Sequence, residues 1–97
     1  MRMRVLRSAH LSINAGLNFY ERQQRELGSR FRTSVLSDIR SLEVTAGVHQ
    51  LNEKGYHRKI CSKFPFSIYY KVEDHEVRVY AVFDDRRDPH WISDRLQ

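Results

Sequence analysis

The stretch FSIYYKVEDHEVRVYAVF, residues 66–83, decides the fold. Aromatic and β-branched residues fill both of its ends, and four polar residues, Glu73-Asp74-His75-Glu76, separate them. That composition and spacing predict a hairpin of strands 66–72 and 77–83 around a tight polar turn. Upstream, residues 56–64 alternate in the same way and predict a third strand, with Pro65 as a bend because it has no N–H to give to a ladder. His49 to Lys54 reads as either a short extra strand or a loop.

The period changes near residue 47, and the first half is helical. Ile13, Leu17, Tyr20 and Leu27 keep helical spacing and predict a helix over about 9–26, ended by Gly28. Phe31, Val35, Leu36, Ile39 and Leu42 form the stripe of a second helix over about 29–44, closed by Gly47. Residues 2–7 alternate as a short strand, and Asp88-Pro89 predicts a capped terminal helical turn through Leu96. The expected fold is therefore α+β: an N-terminal strand, a helical hairpin packed on one face of a twisted antiparallel sheet, and a short C-terminal helix. Residues 1–97 read as a single domain, with no linker or repeat.

Composition narrows the function classes. Of 97 residues, 40% are hydrophobic, 30% charged and 11% aromatic, which excludes a disordered or low-complexity chain. No apolar run has the length of a membrane span, no signal peptide is recognisable, and one cysteine, Cys61, cannot form an internal disulfide, so a cytoplasmic protein without membrane contact is expected. Seventeen Lys and Arg against twelve Asp and Glu give a net charge of +5, and thirteen of the cations are Arg, whose planar fork suits phosphate and carboxylate. An anionic partner (RNA, DNA or an acidic protein) fits that balance, as does a merely solvated basic surface.

Strand alternation assigns sides. Ile60, Ile68, Tyr70, Val72, Val77, Val79, Ala81 and Phe83 are expected to face the helices. Lys59, Lys63, Tyr69, Lys71, Arg78 and Tyr80 are expected on the reverse, with Cys61 and Val82 among them. Cations interleaved with phenols suit single-stranded nucleic acid, and an ordinary solvated sheet face carries the same residue types. The second constellation, Asp84-Asp85-Arg86-Arg87-Asp88-Pro89-His90-Trp91, lies where the last strand ends. Arg86 and Arg87 can grip phosphate, and His90 can move a proton near neutral pH. The flanking acids can equally neutralise the arginines. Cys61 has no histidine partner in the sequence pattern and reads as an idle thiol; no metal-ligand motif is present, and no cofactor is expected.

Phe19-Tyr20-Glu21-Arg22-Gln23-Gln24, Leu27-Gly28-Ser29-Arg30-Phe31, Tyr56-His57-Arg58-Lys59-Ile60, Lys63-Phe64-Pro65-Phe66-Ser67-Ile68-Tyr69-Tyr70, and Val79 to Phe83 followed by Arg86-Arg87-Asp88-Pro89 make a set that spans nearly the whole chain. On these segments the chain resembles the RelE/ParE superfamily of toxin–antitoxin toxins, also called plasmid stabilisation proteins. The resemblance implies a type II toxin that arrests growth and is neutralised by a cognate antitoxin from the adjacent gene. Two mechanisms are implied. One is metal-independent, ribosome-dependent mRNA cleavage, with Arg58, Arg86 and His90 as the catalytic set and Lys59, Lys63, Tyr69, Lys71, Arg78, Tyr80 and Arg87 holding RNA. The other is ParE-like inhibition of DNA gyrase without nuclease chemistry. A third outcome is an inactive or RNA-binding member. The Asp84-Asp85 pair departs from the nuclease pattern before the arginines.

Overall fold

A computed structural model describes residues 1–96. Its elements are β1 (Arg2–Val5), α1 (Arg7–Gln23), α2 (Leu27–Thr45), β2 (Gln50–Leu51), β3 (His57–Ile60), β4 (Phe66–Glu73), β5 (Glu76–Asp84) and α3 (Pro89–Arg95). The sheet order is β1-β5-β4-β3-β2. β2 to β5 pair antiparallel as expected, and β1 adds a parallel edge to β5 from Arg2↔Glu76 to Val5↔Val79.

The hairpin forms because each helix carries one buried stripe: Ala9, Ile13, Gly16 and Tyr20 on α1, and Phe31, Val35, Ile39 and Leu42 on α2. The break between them differs from the expectation. It falls at Gln24–Glu26, where Glu26 takes a left-handed φ of 71°, and not at Gly28. The Glu21 carboxylate accepts the N–H groups of Glu26 and Gly28, both at 3.0 Å, and so caps α2 from the end of α1. Gly28 serves packing: a Cβ there would lie 2.6 Å from the Leu17 carbonyl oxygen. Gly16 does the same against the ring of Phe31, also at 2.6 Å. These two glycines let α1 and α2 approach closely. Gly47, at φ 97°, closes α2 as predicted.

The buried stripes meet Cys61, Phe66, Ile68, Tyr70, Val77, Val79 and Val82 from the sheet in one core. Two features seal its margins. Asp38, buried within the α2 stripe, accepts from the Ser62 N–H at 2.9 Å and Oγ at 3.2 Å, pinning the loop after β3 to α2. The Tyr70 hydroxyl accepts the Gly47 N–H at 3.0 Å and is hydrogen-bonded to His49 Nδ1, while the His57 ring stacks on the phenol.

Alternation failed at two places. β4 and β5 slip in register at Tyr69/Tyr70: Tyr70 pairs with Val79 and Tyr69 with Ala81, leaving Tyr80 as the extra residue of a bulge. Beyond it the faces invert, so Val82 joins the helix-side core and Ala81 and Phe83 face the reverse. β3 ends at Ile60, earlier than expected. Its register pairs Lys59 with Ile68, which puts Lys59 on the helix side; Ile60 is 62% exposed, and Cys61 turns into the core.

Candidate functional site

The reverse of the sheet is not open. Tyr56, Tyr69, Ala81 and Leu96 form a second buried cluster, flanked by Tyr80, Phe83 and Ile92. Asp88 caps α3 by accepting the His90 N–H at 2.8 Å, Pro89 starts the helix, and Leu96 at its end plugs the sheet. Lys54 Nζ donates to the Ser93 carbonyl at 2.6 Å and ties α3 to the β2–β3 loop. The expected continuous basic face is therefore broken in the middle by the chain's own apolar residues.

What remains is a cleft of about 270 Å³ beside α3, lined among others by Lys54, Arg58, Tyr69, Asp85, Arg87 and Ile92. Arg58 comes from β3, Tyr69 from β4 and Asp85 from just beyond β5. Asp85 organises it: its Oδ1 accepts from Arg58 at 3.1 Å and from the buried Ser67 hydroxyl at 2.6 Å. Burial pushes the Tyr69 phenol up, against the opposing pull of Arg58, so at neutral pH it is a donor and not a base. A phosphate could meet Lys54 and Arg87 here, but Arg58 approaches it already paired.

The other predicted cations are dispersed. Lys71 lies over the Tyr56 ring at 4.5 Å and near Tyr80 at 5.7 Å, on the reverse face. Arg78 is held by Glu76 at 2.8 Å, Glu73 at 3.4 Å and Asp74 at 3.5 Å. Lys59 is on the helix side, and Lys63 lies on the β3–β4 loop beside α2, lining a different depression with Arg30. Lys59 and Lys63 thus share no surface with Tyr69 and Arg78, because β3 ends early and its register differs from simple alternation.

Nor does the expected catalytic set converge. Arg58 faces the reverse. Arg86 forks onto Asp84, with Nε at 2.9 Å and an Nη at 2.7 Å, and interacts with Tyr20 of the helix-side core. Those bonds from Arg86 hold the Asp84 carboxyl below its usual range. His90 is exposed on the first turn of α3, outside the lining of the Arg58 cleft. Cys61 is buried in the helix-side core, and burial, with Asp38 and Asp85 nearby, pushes its thiol up to about 12. Asp85 and Leu96 are the residues that the site expectations omitted. The Ile92/Leu96 spacing of four was a legible signal for the plug, whereas the Arg58–Asp85 pair spans 27 residues and left no local trace.

No protein-family model and no curated protein matches the sequence. Among solved structures, a chain from a chromosomal ParDE TA (toxin–antitoxin) system of P. aeruginosa superposes with a TM-score of 0.80, over 87% of this chain and 95% of that one, at 18% identity. The two chains share a fold. The likeness covers most of both chains, and it agrees with the expected α+β architecture of a helical hairpin on a sheet. Among the described residues no helix is long and apolar enough to cross a membrane.

Proposed function

We propose that this chain is the toxin of a type II toxin–antitoxin pair, and that it acts by binding a protein target, as a ParE-like gyrase inhibitor does, without cutting RNA. The shared fold supports the toxin reading. The observation that favours binding over cleavage is the separation of the nuclease candidates: Arg58 is paired with Asp85 on one side of the sheet, and Arg86 is forked onto Asp84 on the other. Metal-independent cleavage needs a base at the 2′-OH and a cation at the same phosphate, within hydrogen-bond reach of each other. A surface that only binds has no such requirement. A cytoplasmic antitoxin encoded by the neighbouring gene would neutralise it, and its acidic residues would complement the net charge of +5.

Induction of the chain without antitoxin tests this. Growth should stop, supercoiling by purified gyrase should fall with added protein, and toeprinting on translating ribosomes should show no new mRNA ends. New ends that disappear in an Arg58→Ala variant would replace this reading with mRNA cleavage. Normal growth would remove the toxin reading altogether. For the cleavage alternative one observation stands: Lys54, Arg58 and Arg87 border one cleft, and they are where RNA would be held.

A further inference from the structure

A depression of about 630 Å³ lies between the first half of α2 and the β3–β4 loop. Arg30, Thr33, Ser34 and Ser37 line it from α2, and their spacing of three and four puts them along one side of that helix. Lys63 lines it from the loop. That loop is anchored on either side of Lys63. Asp38 of α2 accepts the Ser62 N–H at 2.9 Å and its hydroxyl at 3.2 Å, and the Phe64 ring packs 5.0 Å from Tyr20 and 5.3 Å from Phe31.

The hydroxyls in the depression differ from others on the same helix. Ser29, Ser41 and Thr45 each donate to a backbone carbonyl three or four residues back, at 3.1, 2.6 and 3.1 Å. Thr33, Ser34 and Ser37 make no side-chain hydrogen bond with a described residue, and Arg30 and Lys63 make no ion pair with one. No carboxylate lines the depression. Arg58, Arg78 and Arg86, by contrast, are each held by an acid.

We propose that this depression binds the dianionic phosphate of a small phosphate monoester. Arg30 and Lys63 supply charge-assisted hydrogen bonds to its oxygens, and the three hydroxyls complete the donor set. Two cations match the charge of about −2 that a monoester approaches at neutral pH, whereas each phosphodiester carries one. Leu27 and the half-buried Phe64 give the organic part of the ester an apolar surface. The volume is within the range of about 300–1,000 Å³ usual for small-molecule sites. The site shares no lining residue with the Arg58 cleft and does not rest on the toxin reading.

Phenyl phosphate is the probe, titrated into the ¹⁵N-labelled full chain near neutral pH at low ionic strength. Amide resonances should move saturably, with the largest shifts at residues 29–37 and 62–64. Arg30→Gln and Lys63→Gln change exposed side chains, should leave the circular dichroism unaltered, and should each weaken binding about tenfold. Phenyl sulfate, a monoanion of similar shape, should bind far more weakly. Inorganic phosphate should compete at the same resonances with lower affinity, and equal affinity would overturn the assignment to an ester. Absence of saturation overturns the proposal, as do shifts spread evenly over the basic surface. So does equal binding of phenyl sulfate, or unchanged affinity in both Gln variants. Tighter binding of a single-stranded RNA oligonucleotide at these resonances, lost in the same variants, would make the site a phosphodiester contact instead. Growth plays no part in this readout, so a harmless chain that binds the probe sinks only the toxin reading, and a toxic one that does not sinks only this site.

Discussion

The two faces of the sheet are closed by unequal means. On one, helices of 17 and 19 residues bury a cluster of fourteen side chains, including the packed rings of Tyr20, Phe31 and Phe66. On the other, a helix of seven residues contributes no buried side chain within its own span, and the cover depends on Leu96 just beyond it and a cluster of four. A helix that short is not stable by itself and persists only through its docking. The difference separates a scaffold, which unfolds only with the whole molecule, from a cover that can open while the scaffold persists. The cleft at Arg58 borders the cover.

The largest expected effect comes from the scaffold. Phe31→Ala removes a fully buried ring that touches Tyr20, Phe64 and Phe66, and should cost about 3–5 kcal/mol by urea unfolding. All amides protected by global unfolding should exchange faster together. Leu96→Ala should cost less, about 2 kcal/mol, the low end for a buried leucine because its cluster has four buried members against fourteen on the other face. Its signature in hydrogen exchange should be loss of protection in α3 with the α1–α2 amides unchanged. If Leu96→Ala instead raised exchange across the hairpin as much as Phe31→Ala, the two faces would form one cooperative unit and the distinction would fail.

How much of this was legible depends on which period each segment obeys. The helical hairpin could be read because Phe31, Val35, Ile39 and Leu42 repeat at helical spacing and do face the core. The strands could be counted for the same reason. Their faces could not be carried past Tyr80, since one bulged residue inverts every later side chain and leaves no mark in composition. That inversion moved Val82 inward and Phe83 outward, and made the reverse face apolar enough to accept α3. Charge pairing divides the same way. Arg78 with Glu73, Asp74 and Glu76, and Arg86 with Asp84, are neighbours in sequence, so neutralisation by flanking acids was visible there. Arg58 with Asp85 required the register of three strands.

The smallest expected effect tests whether acid loosens one face alone. His49 lies on the helix side, bonded to the Tyr70 hydroxyl. Burial lowers its pKa below the ordinary 6.5, and the positive charges of Lys59 and His57 from β3 lower it further. The folded protein then binds fewer protons than the unfolded chain between the two values. His49 therefore contributes stability that is complete above pH 6.5 and declines as pH falls through its lowered folded pKa. Glu76 and Asp84 have lowered carboxyl pKa values, through hydrogen bonds from Arg78 and Arg86 respectively. Their contributions begin to be lost only under their ordinary 4.5 and 3.8, whereas that of His49 begins to fall below 6.5. His49→Gln keeps an acceptor for the Tyr70 hydroxyl and does not titrate, so it should flatten the stability profile just below pH 6.5 and leave the steeper fall in stronger acid. Exchange at Gly47 should lose its acid sensitivity with it, because its N–H shares the same hydroxyl. Amides of α3 should respond identically in both proteins. If they did not, the titration would be reaching across the sheet, and the two faces would be coupled through Tyr70 and its neighbour Tyr69.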